Sequence, residues 1–330
     1  MENGEIINLM KFKISSIASD ASFRSFFRIH INKKSKILVH AEKDQYTNLI
    51  AYTSINSFLR SKKILTPKIF SYNLKKNLII IQDFGDLSFY KVLLRNKNKL
   101  VIYKKLVKLL LKIQKIRPKY KVKSILGKYH KVNKYSPKYL HEESDLFFDW
   151  YLPFFYKKNK IKNIKKKAKK NLSKLYRNLN FQNSHFVHRD FHVQNLIKVN
   201  KRIGVIDSQD ALIGNAAYDL VSLIDDVRIK TSTTLKKQIY DYYLKKTLNI
   251  YKKNPKKFLE DFNTLSVQRS LKIIGIFARL YSRDKKKNYL KMIPYTWKLL
   301  EIRINHAAFS ELKKILDINI PKKLRKKILA

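Results

Sequence analysis

Residues 188–210 read HRDFHVQNLIKVNKRIGVIDSQD, and no other stretch constrains the fold as strongly. Two short apolar segments, Leu196–Val199 and Ile203–Ile206, are separated by the polar residues 200–202. Short apolar segments joined by a polar connection are typical of a β-hairpin. We therefore predict that the chain passes from a loop into a hairpin and leaves it again at Asp207.

The predicted hairpin brings three oxygen-bearing side chains towards one end. Asp190 and Asn195 lie at the two ends of the loop that precedes the hairpin, and Asp207 follows its far strand. A carboxylate and an amide oxygen are the hard ligands that Mg²⁺ prefers when it also keeps waters and substrate phosphates. With Asn195 and Asp207 as metal ligands, Asp190 is left as the candidate base that accepts a proton from a substrate hydroxyl.

These residues resemble a known family. His188-x-Asp190-x4-Asn195 followed by Asp207 is similar to the catalytic loop and metal-binding aspartate of the aminoglycoside phosphotransferases and choline kinases, which have a protein-kinase-like fold. Further segments resemble the bacterial branch that phosphorylates cell-wall amino sugars at the anomeric hydroxyl, the N-acetylmuramate/N-acetylglucosamine kinases. Those segments are Asp20–Arg24, Leu146–Tyr151, Phe191–Leu196, Ile206–Ala211, Tyr218–Leu223 and Gln268–Leu280, and they span nearly the whole chain.

The resemblance implies a role for each residue of the loop. Asp190 would be the catalytic base, and His188 would be the structural histidine that orients the loop and the metal aspartate. Asn195 and Asp207 would ligate Mg²⁺. ATP and Mg²⁺ are therefore the expected cofactors.

The resemblance also implies two segments that bind the ATP. A turn between the first two strands would cover the phosphates with its backbone N–H groups. A hinge after a later strand would read the adenine through its backbone. The expected cofactor-binding residues are Ser22, Phe23 and Arg24 in the turn and Gln82, Asp83 and Phe84 in the hinge.

The sequence departs from protein kinases where the phosphates would be bound. It has no G-x-G-x-x-G, and the segment 36–41 has a lysine only at its first position, whereas protein kinases carry one in the interior of that strand. We therefore assign the phosphate contact to Arg24, Arg28 or Lys43.

The predicted secondary structure changes from mostly strands to mostly helices near residue 85. Before it, β-branched and aromatic segments predict strands at Phe12–Ile17, Phe23–Ile31, Lys36–His40 and Leu78–Gln82, with a helix at Thr47–Leu59. After it, amphipathic periodicity predicts helices at Val101–Ile116, Pro137–Leu152, Ile161–Asn178, Ala217–Ile229, Leu235–Tyr251 and Phe258–Arg279.

We therefore expect an α+β, protein-kinase-like fold with two lobes. The small β-rich N-lobe would span residues 1–85 and cover the nucleotide. The large helical C-lobe would span 86–330 and carry the catalytic loop 188–195 and the metal segment 206–210. A small ligand would bind in the cleft between the lobes.

The charge has two interpretations. With 73 Lys+Arg against 24 Asp+Glu, the net charge of +49 is typical of proteins that bind nucleic acids. The lysines, however, are spread along the chain, and in the densest run, 157–177, the apolar residues Ile161, Ile164, Ala168, Leu172 and Leu175 fall on one helical face. We interpret the lysines as the solvated faces of ordinary helices and do not expect a nucleic-acid partner.

Composition excludes several classes of protein. A hydrophobic fraction of 45% is too high for a disordered chain, and no apolar stretch is long enough for a membrane-spanning helix. The absence of cysteine excludes disulfides and thiolate catalysis. The first residues do not have the pattern of a secretory signal, so we expect a cytoplasmic protein.

The sequence predicts an ATP-dependent kinase that phosphorylates a small amino sugar, with the anomeric hydroxyl of N-acetylmuramate or N-acetylglucosamine as the preferred acceptor. Arg228 and Arg269, with Lys272 and Arg279, are candidates to bind an anionic group of the substrate such as a lactyl carboxylate. The alternatives are a kinase for an aminoglycoside, choline or a protein hydroxyl, and a basic RNA-associated protein on a degenerate kinase scaffold. The oligomeric state stays open.

Overall fold

The computed structural model of the chain describes residues 13–17, 24–31, 34–41, 46–73 and 76–326. They form two compact units, each assembled from separate stretches of the chain. The first unit contains the described residues of Met1–Lys97, Lys119–Asn133 and His188–Ala211, and the second those of Asn98–Pro118, Lys134–Val187 and Leu212–Ala330. The predicted lobe boundary at residue 85 stays a prediction.

The described strands are β1 (Lys13–Ile17), β2 (Arg24–Ile31), β3 (Lys34–Ala41), β4 (Ile69–Asn73), β5 (Leu78–Gln82), β6 (Lys121–Lys123), β7 (Tyr129–Lys131), β8 (His185–Val187), β9 (Leu196–Val199), β10 (Arg202–Val205) and β11 (Leu212–Gly214). The described α-helices are α1 (Tyr46–Ser61), α2 (Phe89–Arg95), α3 (Lys99–Gln114), α4 (Pro137–Leu146), α5 (Lys158–Arg177), α6 (Ala217–Ile224), α7 (Thr233–Lys246), α8 (Asn249–Lys253), α9 (Pro255–Asp284), α10 (Ile293–Ile304), α11 (Ser310–Asn319) and α12 (Lys322–Lys326). A π-helical turn covers Phe147–Tyr151, and 3-10 turns cover Leu152–Phe154, Lys287–Met292 and Ala307–Phe309.

The first unit contains a five-stranded antiparallel sheet with the strand order β1-β2-β3-β5-β4. Four of these strands were predicted, although Phe12 and Phe23, at the ends of two predictions, lie outside the described residues. Strand β4 was not predicted. It is an edge strand whose pairing with β5 shifts between Ile69 and Ser71, so its apolar residues do not alternate regularly.

The sheet is apolar on both faces. Ile37 and Val39 of β3 pack with Ile79 of β5 and with Leu49 and Tyr52 of α1. On the opposite face, Leu38 packs with Ile29 and Ile80. Burial on both sides explains why β3 and β5 read as continuous apolar runs.

The second unit is built around α9, a helix of 30 residues that packs against α4, α6, α10 and the π-helical turn. It starts with Pro255 in its first turn, where proline is tolerated, and ends before Lys285, which adopts left-handed backbone angles with φ of 56°. The middle of the helix is almost completely buried. This burial requires close contact on several sides.

The prediction of one helix over Pro137–Leu152 is wrong. Helix α4 ends at Leu146 and continues as the π-helical turn. At this point α9 approaches so closely that a Cβ atom on Gly275 would lie 2.5 Å from the carbonyl oxygen of Leu146 and from the amide nitrogen of Phe147. Helical periodicity does not report such a local widening.

Two other helices are shorter than predicted. The predicted Leu235–Tyr251 breaks after Lys246, because Thr247 and Leu248 have extended backbone angles before α8 begins. The predicted Ala217–Ile229 ends at Ile224. The chain between 225 and 232 therefore forms a connection, although its two apolar residues, Val227 and Ile229, are buried.

The lysine-rich helix α5 has the predicted amphipathic arrangement. Ile164, Ala168, Leu172 and Tyr176 are buried, and most of its lysines are exposed or half-buried. No helix among the described residues is both long enough and apolar enough to cross a membrane.

We expect Gly275→Ala to destabilise the protein by about 3 kcal/mol, because the added methyl group meets backbone atoms of Leu146 and Phe147 that cannot rotate away. Thermal unfolding should show a midpoint several degrees lower. Lys256→Ala, at an exposed position of α9, is the control and should unfold near the wild-type temperature. A Gly275→Ala protein as stable as the control would contradict the close contact.

Candidate active site

The hairpin of β9 and β10 positions the predicted metal residues. Its ladder pairs Leu196 with Val205 and continues for one more bond, because the amide of Ile206 donates to the carbonyl of Asn195 at 3.1 Å. Asp207 therefore leaves the hairpin beside Asn195. The hairpin and its turn were predicted from sequence and are confirmed.

The loop before the hairpin holds the backbone of Asp190 in place. The carbonyl of Asp190 accepts hydrogen bonds from the amide of His192 at 2.9 Å and from Nδ2 of Asn195 at 3.1 Å. Arg189 adopts a φ of 72°, in the left-handed region that non-glycine residues rarely occupy. The side chain of Asp190 is half-buried at the start of this turn.

His188 lies between the loop and the segment that carries Asp207. It is completely buried, and its Nε2 donates to the carbonyl of Ile206 at 3.1 Å. This bond fixes the backbone immediately before Asp207. The geometry agrees with a structural rather than a proton-transferring histidine, and that role stays a prediction.

Asp207 is held by one of its two carboxylate oxygens. Oδ1 accepts from Nη2 of Arg24 at 2.8 Å and from Nε2 of Gln209 at 3.0 Å. No hydrogen bond between described residues reaches Oδ2, and the side chain is 41% exposed. The backbone of Asp207 has a φ of 62°, so the residue turns out of the strand direction.

The oxygens that remain suit a hard cation. The amide nitrogen of Asn195 bonds to the Asp190 carbonyl, and within the described part of the chain its Oδ1 accepts no hydrogen bond. Oδ1 of Asn195 and Oδ2 of Asp207 would offer a cation one neutral and one charged oxygen. This donor set fits Mg²⁺, which is usually held by one or two carboxylates with additional waters and phosphates.

Arg24, at the start of β2, is buried with 4% of its surface exposed. Its guanidinium carbon lies 5.3 Å from the ring centroids of both Phe26 and Tyr52, within cation–π distance. Burial raises the pKa of Tyr52 to about 12, so this ring stays neutral beside the cation. Ser22 and Phe23, the other predicted residues of the turn, lie outside the described residues, as does Lys43.

Arg28, four residues after Arg24 and on the same face of β2, binds the predicted hinge. Its Nε donates to Asp83 Oδ2 at 2.6 Å and its Nη2 to Asp86 Oδ1 at 2.8 Å. The amide of Gly85 donates to Asp83 Oδ1 at 2.7 Å. One guanidinium therefore joins β2 to two carboxylates of the segment after β5.

The hinge is also fixed from the side of the hairpin. The ring of Phe84 covers Gly204 of β10, where a Cβ atom would lie 2.6 Å from two ring carbons. Gln82, at the end of β5, donates its backbone amide to the carbonyl of Lys68 at 2.8 Å. Gln82, Asp83 and Phe84 thus form an ordered connection, and their contact with adenine stays a prediction.

The predicted substrate residues lie in the second unit. Nη1 of Arg228 is 3.4 Å from Oδ1 of Asp226, and Arg269 is 4% exposed with its guanidinium over the ring of Tyr218. Lys272 donates to Glu143 at 2.7 Å. Their contact with a substrate stays a prediction.

A family model described as "Phosphotransferase enzyme family" matches residues 13–252. The chain belongs to this phosphotransferase family. It is therefore a kinase that transfers phosphate to a hydroxyl group. Two curated relatives are both named N-acetylmuramate/N-acetylglucosamine kinase: one from Pseudomonas aeruginosa is 29% identical over 91% of this chain and 86% of its own, and one from Neisseria meningitidis serogroup B is 26% identical over 86% and 83%.

Solved structures of phosphotransferases share the fold. A choline kinase from Streptococcus pneumoniae superposes with a TM-score of 0.59 at 11% identity, covering 90% of this chain and 94% of that chain. An ADP-bound aminoglycoside phosphotransferase has a TM-score of 0.57 at 15% identity, with 91% and 95% covered. The predicted α+β, protein-kinase-like fold is confirmed.

Two residues that contact Asp207 and Arg24 of the candidate site were not predicted. Gln209 follows Asp207 by two positions and bonds to its carboxylate, so its place in the metal segment was a usable signal. Tyr52 contacts Arg24 from α1, where the sequence shows only an ordinary amphipathic helix. Its role follows from tertiary contact alone.

We expect Arg28→Gln to lower stability at pH 7 by about 2 kcal/mol, because the substitution removes charge-assisted hydrogen bonds to Asp83 and Asp86. Burial raises the pKa of Asp83, but hydrogen bonds from Arg28 and Gly85 outweigh it, and the net shift is below the ordinary value of 3.8. The hydrogen bond from Arg28 also lowers the pKa of Asp86.

Because both pKa values are lower in the folded state, the stabilisation is present above the unfolded pKa and is lost as the pH falls through the folded values. The difference in melting temperature between wild type and Arg28→Gln should therefore be largest near pH 7 and shrink below pH 3.8. Lys237→Gln, which removes an exposed pair with Asp241, is the control and should change little. A difference that does not vary with pH would contradict the carboxylate clamp.

Proposed function

We propose that this chain uses ATP and Mg²⁺ to phosphorylate an amino sugar, with the anomeric hydroxyl of N-acetylmuramate or N-acetylglucosamine as acceptor. The observation that carries the proposal is the arrangement of Asp190, Asn195 and Asp207 around one hairpin, with Oδ1 of Asn195 and Oδ2 of Asp207 outside the hydrogen bonds of the described residues. The side chain of Asp207 is 41% exposed, so a ligand can reach its carboxylate from solvent.

Asp190 is the proposed base. The acceptor hydroxyl gives its proton to the Asp190 carboxylate as the acceptor oxygen bonds to the γ-phosphorus of ATP. The bond between that phosphorus and the β,γ-bridging oxygen breaks, and ADP leaves with the bond's electrons. Because the hydrogen bonds to its carbonyl fix Asp190, its contribution is to receive the proton at a set position.

Asn195 and Asp207 are the proposed metal ligands. When bound, Mg²⁺ supplies positive charge to the phosphate oxygens and orients the triphosphate. His188 keeps the backbone before Asp207 in position through its bond to Ile206. Backbone groups of Gln82, Asp83 and Phe84 are proposed to bind the adenine. Arg228 and Arg269 are proposed to bind an anionic group of the substrate.

The amino-sugar acceptor is supported by the curated relatives. Both relatives are named N-acetylmuramate/N-acetylglucosamine kinase, and both align over more than four fifths of each chain. The similarity therefore extends beyond the catalytic loop that all such kinases need. The fold shared with choline and aminoglycoside kinases does not select an acceptor. The choice of sugar therefore needs a direct test.

Asp190→Asn should lower kcat at least about 100-fold, because an amide cannot accept the proton. Its affinity for ADP, measured by calorimetry, should stay within about twofold, since the substitution is isosteric and the backbone bonds remain. Asp241→Asn, at an exposed carboxylate, is the control and should be fully active. Turnover near the wild-type rate in Asp190→Asn would remove the proposed base.

The acceptor is tested by incubating the full chain with Mg²⁺-ATP and N-acetylmuramate, N-acetylglucosamine, an aminoglycoside or choline. Phosphorus NMR separates a sugar 1-phosphate from a 6-phosphate. We expect the 1-phosphate of at least one of the two amino sugars. Transfer to choline or the aminoglycoside alone, or formation of a 6-phosphate, would replace the proposed acceptor.

A further inference from the structure

The Arg24–Asp207 pair joins two segments that lie far apart in the sequence. The residues are 183 positions apart, and Nη2 of Arg24 lies 2.8 Å from Oδ1 of Asp207. The side chain of Arg24 is 3% exposed, whereas that of Asp207 is 41% exposed. The guanidinium of Arg24 is thus held in the interior, whereas the carboxylate of Asp207 is open to solvent.

The environment of Arg24 restricts the direction of its guanidinium. Phe26 and Tyr52 each place a ring centroid 5.3 Å from the guanidinium carbon. A planar guanidinium held by aromatic rings presents its N–H donors along set directions. Arg24 is therefore a rigid donor rather than a mobile surface charge.

The strand next to Arg24 supplies no cation on this face. Arg24 pairs with Ala41 of β3, and the β3 residues on the same side, Ile37 and Val39, are buried apolar side chains. Lys36 points to the other side of the sheet, with its Nζ 4.6 Å from the ring centroid of Phe70. Arg28 is on the face of Arg24, but it binds Asp83 and Asp86.

Both donors to Asp207 use the same oxygen. Arg24 and Gln209 hold Oδ1, which fixes the rotation of the carboxylate and directs Oδ2 away from them. Groups that bind the far oxygen or ring nitrogen of a metal ligand orient that ligand, and their removal typically weakens metal binding about 10- to 100-fold. Arg24 and Gln209 bind Oδ1 of Asp207 in this way, and Oδ2 is the oxygen left for a metal.

We propose that Arg24 is a positioning residue that fixes Asp207 through Oδ1 and so presents Oδ2 to the divalent ion of the metal–nucleotide complex. This inference rests on the proposed function, because it takes Asp207 as the metal ligand. Arg24 then acts on metal affinity through Asp207, and this role takes the place of the phosphate contact that was expected for Arg24 from the sequence. In a competing role, Arg24 would block Asp207 until the metal displaces it. That role predicts that removing the Arg24 side chain makes metal binding tighter, whereas positioning predicts weaker binding.

The test uses Mn²⁺ as the probe, with free Mn²⁺ measured by electron paramagnetic resonance in the presence of saturating ADP and full-length chain. Arg24→Met should raise the Kd for Mn²⁺ at least about tenfold, since the methionine fills the space between the rings but holds no oxygen. Arg24→Lys should recover part of the loss. Lys36→Met, a cation removed from the other face of the sheet, is the control and should match wild type.

A second measurement separates positioning from phosphate binding. The affinity for ADP with all divalent ions chelated should stay within about threefold in Arg24→Met. A fall equal to that for Mn²⁺ would make Arg24 a direct phosphate ligand and overturn the proposal. Tighter Mn²⁺ binding would establish the blocking role and overturn it as well.

Gln209→Met provides a variant that leaves the buried cation paired. It removes the second donor to Oδ1 and should weaken Mn²⁺ binding severalfold, so it decides the proposal even where Arg24→Met does not fold. If wild type binds no Mn²⁺ with ADP, the proposed function fails. If wild type binds it and both Arg24→Met and Gln209→Met bind it equally well, only the role of Arg24 fails.

Discussion

A buried guanidinium needs a carboxylate beside it, and in this chain that requirement joins the β-sheet to the site. Charge in a protein interior is costly unless it is paired, and Arg24 is enclosed by Phe26, Tyr52 and Asp207. The contact fixes the first residue of β2 against the end of the hairpin of β9 and β10. Because the amide of Ile206 bonds to Asn195, the same contact also fixes the loop that carries Asp190.

Carboxylates are scarce in this chain, with 24 Asp+Glu against 73 Lys+Arg, so the positions of the buried ones are informative. Burial alone would raise the pKa of Asp225, but Lys236 and Arg303 outweigh it and lower the pKa to about 2. Two other acids with buried side chains neutralise cations in the same way: Asp83 binds Arg28, and Glu143 binds Lys272. The acids in the interior thus hold segments together, and the surplus of positive charge is left to the surface.

Sequence reasoning succeeded where the signal was local. The hairpin, the strands β1, β2, β3 and β5 and the helix α5 follow from periodicity and short turns, and the loop from 188 to 195 follows from a motif. It failed where tertiary contact decides the backbone. Gly275 lets α9 approach the end of α4, and no periodicity in Pro137–Leu152 shows the π-helical turn that begins there. The ion-pair partner of Arg24 could not be predicted either, because the sequence alone does not select one of the 24 acidic residues.

The protein has a large positive net charge, whereas its candidate site presents carboxylates. The net charge therefore does not explain how a nucleotide would be oriented there. The exposed lysines act on any anion and are screened beyond about 8 Å at physiological salt, so they attract nucleotides and sugar acids without orienting them. The loop and hairpin instead present the carboxylates of Asp190 and Asp207, which repel a phosphate unless a cation lies between. Arg24 already neutralises one oxygen of Asp207. Under the proposed function, phosphate transfer therefore depends on the direction of Oδ2 of Asp207. That direction is set by the rotation of one side chain, which the net charge of the protein does not influence.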